Sequence, residues 1–567
     1  MLRSLWIIPL LLILSLLVFG AVTTGEVITV DDSEQLQKLE KRHQWNLEKT
    51  FFRNKSTGLY YRPLITLSFT ADRLLWESDP IAMHLFNLFL HAFNAFLVFW
   101  LAHFLFKGQT NTIWPALLCS VLFLWHPLTA ESVNWISGRT DILAATFVYS
   151  SGLSLLAFRQ KKVWSLFLLS VIFLLCGVLA KETAIAFLSG FVFLLWAQNV
   201  PDRLSVKRTF SRGITLVGLL SIATFTAWSS LFFLREHVLK NDTSHIATTL
   251  RIVNDDLGYS FFVCARALGF YIKKIFFPLP LNFVILEVDP LYELLAFPII
   301  LLLIYLFLKR SLAGGYLLTG VALITPAFPI AFNHIAWTPF AERYVYIALG
   351  FIVPAAIFFL GKVNIRASIY YAVIASLIVF FGVSTFQRSL VWKTNESLWR
   401  DSIEKSPQSQ KAWNNYGVAL HRNGRYGEAE KVFSVAASKT QFGYIDKYDV
   451  NMAVSMLSLQ EYDRAQQKLL TVLKRSRGTS DIALNVLLKL AEDDQDLTEE
   501  RLSEIRSTLL DLARDSDSPG YYYQLGRFSK EQKKYTEAKS FFEKAYAVAL
   551  DADSMKKKAE KALKSLP

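Results

Sequence analysis

MHLFNLFLHAFNAFLVF, residues 83–99, holds no Asp, Glu, Lys or Arg and lies inside an apolar run, 82–106. That run is longer than the ~20 residues a helix needs to cross a bilayer. His84, Asn87, His91 and Asn94 interrupt it at helical spacing, so they share one face. Such a stripe predicts hydrogen bonds between helices. Metal ligation would need carboxylate or cysteine support that the stripe lacks.

The pattern repeats outward from this segment. The chain has 567 residues, 53% of them hydrophobic, and its mean hydropathy is positive. Eleven spans are read at 5–22, 82–106, 113–128, 142–158, 163–180, 183–198, 214–234, 291–308, 315–333, 344–361 and 368–386. The net charge is +13, which by itself suits nucleic acid. The basic clusters, however, follow alternate spans: Arg159, Lys161 and Lys162; Arg203, Lys207, Arg208 and Arg212; Lys309 and Arg310; Lys362 and Arg366. This is the positive-inside pattern, and no nucleic-acid partner is expected. The first apolar run, preceded by Arg3, is read as a retained anchor rather than a cleaved signal. The N-terminus is then cytoplasmic and the C-terminus is not.

The stretch 259–280 is apolar but cut by Arg266, Lys273 and Lys274. Counting it as a span would misplace Lys309 and Arg310, so it is read as an interfacial helix with its charged face toward headgroups. A genuine span with basic residues lining a cavity is the alternative. Cys119, Cys176 and Cys264 lie in apolar stretches with no metal-ligand spacing, and no disulfide framework is expected.

After Thr385 the composition turns soluble. Trp413, Tyr416, Gly417, Leu420, Ala429, Phe433 and Ala436 follow the tetratricopeptide spacing. Ala465 recurs 36 residues after Ala429, and Tyr522, Leu525, Gly526, Tyr535, Ala538, Phe542 and Ala545 give another copy. The segment 481–515 reads as a degraded helix pair between them and 553–566 as a Lys-rich cap. The fold class is therefore all-α: a polytopic membrane domain of about 11 spans plus an interfacial helix, followed by an α-solenoid.

On this topology the suspicious polar clusters fall on the non-cytoplasmic face. Asp31-Asp32 follows the first span. A lone acidic pair is ordinarily a helix cap; functionally, one of two close carboxylates has a raised pKa suited to a general base. HPLTAESVNWISGRTD, 126–141, contributes His126, Glu131, Arg139 and Asp141. Arg139 suits phosphate through bidentate bonds, or forms a structural pair with Asp141 or Glu131. Lys181-Glu182 and Glu342-Arg343 are either local ion pairs or groups delivered to an anionic headgroup. Tyr60, Tyr61 and Arg62 read as interface anchors. No phosphate-cradling Gly-rich loop or GxSxG occurs. The triplets Asp494-Gln495-Asp496, Asp515-Ser516-Asp517 and Asp551-Ala552-Asp553 fall in repeat turns, where capping explains them. Asn54, Asn241 and Asn395 open formal N-glycosylation triplets.

These strings in order resemble the transmembrane and tetratricopeptide-repeat-containing (TMTC-type) proteins: Asp31-Asp32, YYRPLITLSF (60–69), the opening segment, HPLTAESVNWISGRTDILAA (126–145), AKETA (180–184), AERYVYIALGF (341–351) and QRSLVWKTNESLWRDSIEKSPQSQKAWNNYG (387–417). That family is similar to GT-C glycosyltransferases. The resemblance implies a transferase domain over 1–387 and a repeat domain over 388–567. It implies a sugar, mannose by analogy, moved from a polyprenyl- or dolichyl-phosphate donor to Ser/Thr hydroxyls of a protein held by the repeats. Asp31 and Asp32 would be catalytic. Arg139, Lys181 and Arg343 would bind the donor phosphate, with Arg62, His126, Glu131, Asp141, Glu182 and Glu342 supporting. No metal ligands are assigned and no cofactor is required, though a divalent ion is left open. The alternative function is a non-catalytic membrane-anchored scaffold. A transporter would place its charges at midplane on interrupted helices, and here they sit at segment ends. The compact repeat array points to a prokaryotic cytoplasmic membrane, with the endoplasmic reticulum as the alternative.

Overall fold

The computed structural model describes residues 6–40, 50, 61–109, 111–197, 255–332, 336–439, 445–493, 498–516, 518–549 and 554–566. Among these the chain is helical, with one isolated bridge between Ile285 and Phe340. It divides into two units, Met1–Leu398 and Trp399–Pro567.

In the first unit, six helices are long and apolar enough to cross a membrane: Pro80–Leu105, Ile136–Lys161, Tyr292–Lys309, Leu312–Phe332, Glu342–Leu360 and Ala367–Val391. Ile113–Leu124 and Pro127–Asn134 together make a seventh, bent by 51°. Three shorter apolar helices, Ile7–Val22, Trp164–Ala180 and Glu182–Trp196, fall where further spans are expected. The expected span 214–234 lies outside the described residues.

Local chemistry sets these boundaries. Asp79 caps the helix Pro80–Leu105 by accepting from the Ile81 and Ala82 amides, and Pro80 takes the first helical position. The bend in the 113–134 pair falls at Pro127, which cannot continue a helix. The polar stripe of the opening segment does bond between helices. Asn87 donates to the Trp135 and Ile136 carbonyls, and Asn94 to the Ile142 carbonyl and the Tyr346 hydroxyl. His91 lies between Tyr346 and the Leu124 carbonyl.

The helix Leu257–Phe276 corrects the interfacial reading in one respect. One of its cations does not face outward: buried Lys274 bonds to Glu342 at 2.7 Å and to the Pro278 and Pro280 carbonyls, while Arg266, paired with Glu293, and Lys273, bonded to the Leu279 carbonyl, are only partly covered. Leu257, Phe261 and Phe262 are exposed instead. A cation turned inward needs a counter-charge, and the acid of each pair comes from a segment distant in sequence.

The second unit stacks helix pairs. Gln410–Arg422 packs on Tyr426–Ser438, Asp446–Ser458 on Tyr462–Arg475, and Pro519–Glu531 on Tyr535–Val548, with Asp481–Asp493 and Thr498–Ser516 between them. Ala429, Phe433, Ala436, Ala465, Ala538, Phe542 and Ala545 are all buried. A Cβ at Gly417 would stand 2.6 Å from the Phe433 ring, so only glycine lets this pair approach so closely. Gly526 meets Phe542 in the same way. Of the acidic triplets, Asp494–Asp496 and Asp551–Asp553 lie outside the described residues, as does Asp517. Asn54 and Asn241 also lie outside them. Asn395 is buried and bonds to Glu26, the Val27 carbonyl and the Thr29 amide, so it is no glycan acceptor in this fold.

Candidate active site

The acidic pair is split by its environment. Asp31 is exposed and holds a left-handed backbone, φ 60°, which non-glycine residues seldom adopt. Among the described residues its side chain makes no hydrogen bond. Asp32 is 1% exposed, and its Oδ1 accepts from the Ser137 amide at 2.8 Å and the Ser137 hydroxyl at 2.5 Å. Asp32 opens the helix Asp32–Glu40 without capping it; its carboxylate reaches across to another segment. Burial pushes that carboxyl up to about 7, against the Ser137 hydrogen bonds and with a further push from Asp31. One residue earlier, the Val30 carbonyl accepts from the Trp135 indole N–H at 3.2 Å. Residues 30 and 32 are thus both bonded to the turn 135–137.

That turn is tight. A Cβ at Gly138 would stand 2.3 Å from the Ser132 carbonyl oxygen, so the chain passes only as glycine. The face of Trp135 carries the Arg343 guanidinium, 5.4 Å from the ring centroid. The backbone of the acidic turn, through the Val30 carbonyl, and one of the expected phosphate-binding cations therefore meet on a single side chain.

Two further cations gather with Arg343. Lys181 bonds to Asp141 at 2.5 Å and lies 5.7 Å from the Tyr344 ring. Arg343 pairs with Glu131 and lies 4.9 Å from the same ring. Arg62 grips Glu182 through two bonds, at 2.7 and 3.0 Å. Burial lowers the Lys181 ammonium; Asp141 opposes this, and the nearby charges of Arg62 and Arg343 add to it. Lys181 gives one ammonium donor to Asp141, and Arg343 gives Nη1 to Glu131 and Nη2 to the Tyr344 hydroxyl. Each of the three cations is held in place by an acid from another segment.

Arg139 is corrected from the phosphate-binding set. It is fully buried, between the Phe69 and Phe86 rings at 4.7 and 4.9 Å. It donates to Asp72, Ser68, Asn87 and the Met83 carbonyl. Its partner is neither Asp141 nor Glu131, which belong to Lys181 and Arg343. A guanidinium so enclosed ties the helices Pro63–Trp76, Pro80–Leu105 and Arg139–Lys161 together and presents nothing to a ligand. His126 is structural as well: its Nδ1 accepts from the Leu128 amide and its Nε2 meets the Ile275 carbonyl, which fixes a neutral tautomer. Glu342 is held by Lys274 and the Asn282 amide rather than by Arg343.

The residues that sequence reasoning missed are Asp72, Trp135, Ser137 and Tyr344; Lys274 was noted only as one charge of the 259–280 segment, without its partner Glu342. Asp72 was signalled only by the need of a buried ion for a counter-ion. Trp135 and Ser137 lay within the quoted 126–141 cluster but carried no charge to mark them.

Residues 398–431 and 519–551 match tetratricopeptide repeat families. Human protein O-mannosyl-transferase TMTC3 is 22% identical over 452 residues, 71% of this chain and 48% of its own length. Protein O-mannosyl-transferase tmtc2 of Xenopus laevis is 24% identical over 518 residues, 72% and 60% respectively. The mouse protein O-mannosyl-transferase TMTC2 is 25% identical over 467 residues, 66% and 54%. The chain spans about half the length of the curated relatives it matches. Through roughly 70% of its own length, then, this membrane protein with tetratricopeptide repeats is similar to the TMTC-type proteins whose motifs its sequence carries in order.

Proposed function

We propose that the first unit is a GT-C-type glycosyltransferase that moves mannose from a polyprenyl- or dolichyl-phosphate donor to Ser/Thr hydroxyls of a protein, on the non-cytoplasmic face. The observation that carries this reading is the meeting of the acidic turn and Arg343 on Trp135. The names of the relatives supply the reaction class.

Asp31 is the proton acceptor, since a base must be reachable and Asp31 is the exposed member of the pair. The acceptor oxygen forms its bond to the sugar C1 as the C1–O bond to phosphate breaks. The hydroxyl proton goes to Asp31, and the electron pair leaves with the phosphate. Arg343 and Lys181, with Arg62 beside them, stabilise the charge that develops on the leaving group, so no separate acid is required. Attack from the face opposite the phosphate inverts C1. The repeat region, 388–567, holds the acceptor polypeptide and raises its effective concentration at the site.

The test is transfer of radiolabelled mannose from dolichyl-phosphate mannose to a pool of Ser/Thr peptides by the purified full chain in liposomes. Asp31→Asn is expected to cut kcat by roughly 100-fold or more, with membrane insertion unchanged. Arg343→Ala is expected to raise the donor KM. Full transfer by Asp31→Asn overturns the base assignment. Transfer by neither parent nor variants, with peptides still captured by the repeats, favours the scaffold.

A further inference from the structure

The turn that separates the two halves of this site touches both. Trp135 gives its indole N–H to the Val30 carbonyl and its ring face to Arg343. Ser137 gives its amide and hydroxyl to Asp32. Asp31 lies between the two bonded residues, so its backbone is held on both sides. Its left-handed backbone is uncommon for non-glycine residues, though aspartate tolerates it better than most, and the two flanking anchors help to hold it. The turn itself is fixed from beneath: Asn87 holds the Trp135 and Ile136 carbonyls, and its Oδ1 holds Arg139 Nε.

We infer that Trp135 and Ser137 are positioning residues that clamp the Val30–Asp32 turn, and that Trp135 sets the separation between the Asp31 carboxylate and the Arg343 guanidinium. This deepens the reading above and rests on it for the identity of base and cation. Neither residue touches the reacting atoms. Trp135 is buried against Phe283 and Trp392, and Ser137 spends its donors on Asp32. The ligand addressed is the same lipid-phosphate sugar. The clamp governs how well a bound donor is aligned with the base, not whether it binds, and misplacing a reacting group by about 1 Å can cost about 100-fold in rate.

Two measurements separate this inference from the proposal it rests on. The first needs no activity. A nitroxide attached through Asp31→Cys, in a background where Cys119, Cys176 and Cys264 are changed to Ser, reports the mobility of the turn. The label is expected to be immobilised in that background and to gain mobility when Ser137→Ala or Trp135→Phe is added. Unchanged mobility with both overturns the clamp, whatever the enzyme does. The second is kinetic, with dolichyl-phosphate mannose and the peptide pool. Trp135→Phe keeps an aromatic ring under Arg343 but loses the N–H and the second ring of the indole, so kcat is expected to fall about 10-fold, less than the ~100-fold cost of a full misalignment, with the donor KM unchanged. Trp135→Leu loses the ring as well, so donor KM is expected to rise on top of the fall in kcat. Ser137→Thr keeps the hydroxyl and is expected to restore the rate lost in Ser137→Ala. A rise in donor KM with unchanged kcat in Trp135→Phe, or no rescue by Ser137→Thr in a variant that unfolds at the parent temperature, overturns the inference.

Discussion

The two units of this chain bury charge to different depths. In the repeat unit ion pairs with partly exposed side chains are common: Lys405–Asp401, Arg425–Glu428, Arg464–Glu461 and Lys564–Glu560 stand three or four residues apart, and Arg464–Glu430, Arg506–Glu537 and Lys558–Asp481 join different helices. In the membrane unit three pairs are distant in sequence and nearly dry. Asp72 and Arg139 are 67 residues apart, Lys274 and Glu342 68, and Glu131 and Arg343 212. An exposed pair gains little, because water and salt screen it. A buried pair is costly to assemble and more costly to break, because removing one partner strands the other. The repeats hold together through Ala, Gly and Phe packing. The membrane unit carries buried ions between its helices, and the same pairing that joins segments leaves Lys181 and Arg343 at the candidate site.

The sharpest way to break this contrast is Asp72→Ala. It strips the counter-ion from an Arg139 with no exposed surface, and the expected loss is about 3–5 kcal/mol, read as thermal unfolding of the full chain in detergent. The pair Asp72→Leu with Arg139→Met is expected to recover most of that loss, since an apolar pair has no ion to strand. A single variant as stable as the parent would mean that the buried pair is not what joins these helices.

A smaller effect belongs to Asp32. Its carboxyl is raised from its usual range to about 7 by burial. A raised folded-state pKa favours the protonated form, so the stability it confers is complete below the unfolded value and is lost as pH climbs through 7. Between pH 6 and 8 the parent is expected to lose about 1.4 kcal/mol, seen as a lower unfolding temperature. Asp32→Asn mimics the protonated acid and still offers Ser137 an acceptor, so it is expected to flatten that slope. The same slope in parent and Asp32→Asn would show that another group titrates there.

These differences also decide what the sequence could reveal. The repeats were legible at residue level because their packing is local: Gly417 meets Phe433 sixteen positions on, and the same offset recurs at Gly526 and Phe542. The spans were legible because hydropathy is a property of one segment. The acidic turn and the cations were legible as residue types at segment ends. Their partners were not. Nothing near Arg139 in sequence points to Asp72, and nothing near Lys274 points to Glu342; only the packing of distant helices selects each acid. Trp135 and Ser137 escaped notice for a further reason. They act through an indole N–H, a ring face and a hydroxyl, which a search for charge passes over.

The smallest expected effect tests the other side of the contrast. Arg464 reaches Glu430 at 2.7 Å and also meets Glu461, so by count of contacts it is better paired than Lys181. Its side chain is 56% exposed, however, and water solvates the guanidinium whether or not the acids are present. Removing it strands nothing, because Glu430 and Glu461 regain water. Arg464→Ala is therefore expected to leave the unfolding temperature of the full chain unchanged at 150 mM salt, roughly the ionic strength at which screening acts within 8 Å. A drop comparable to that of Asp72→Ala would show that the number of partners, and not their burial, sets the strength of a pair in this protein.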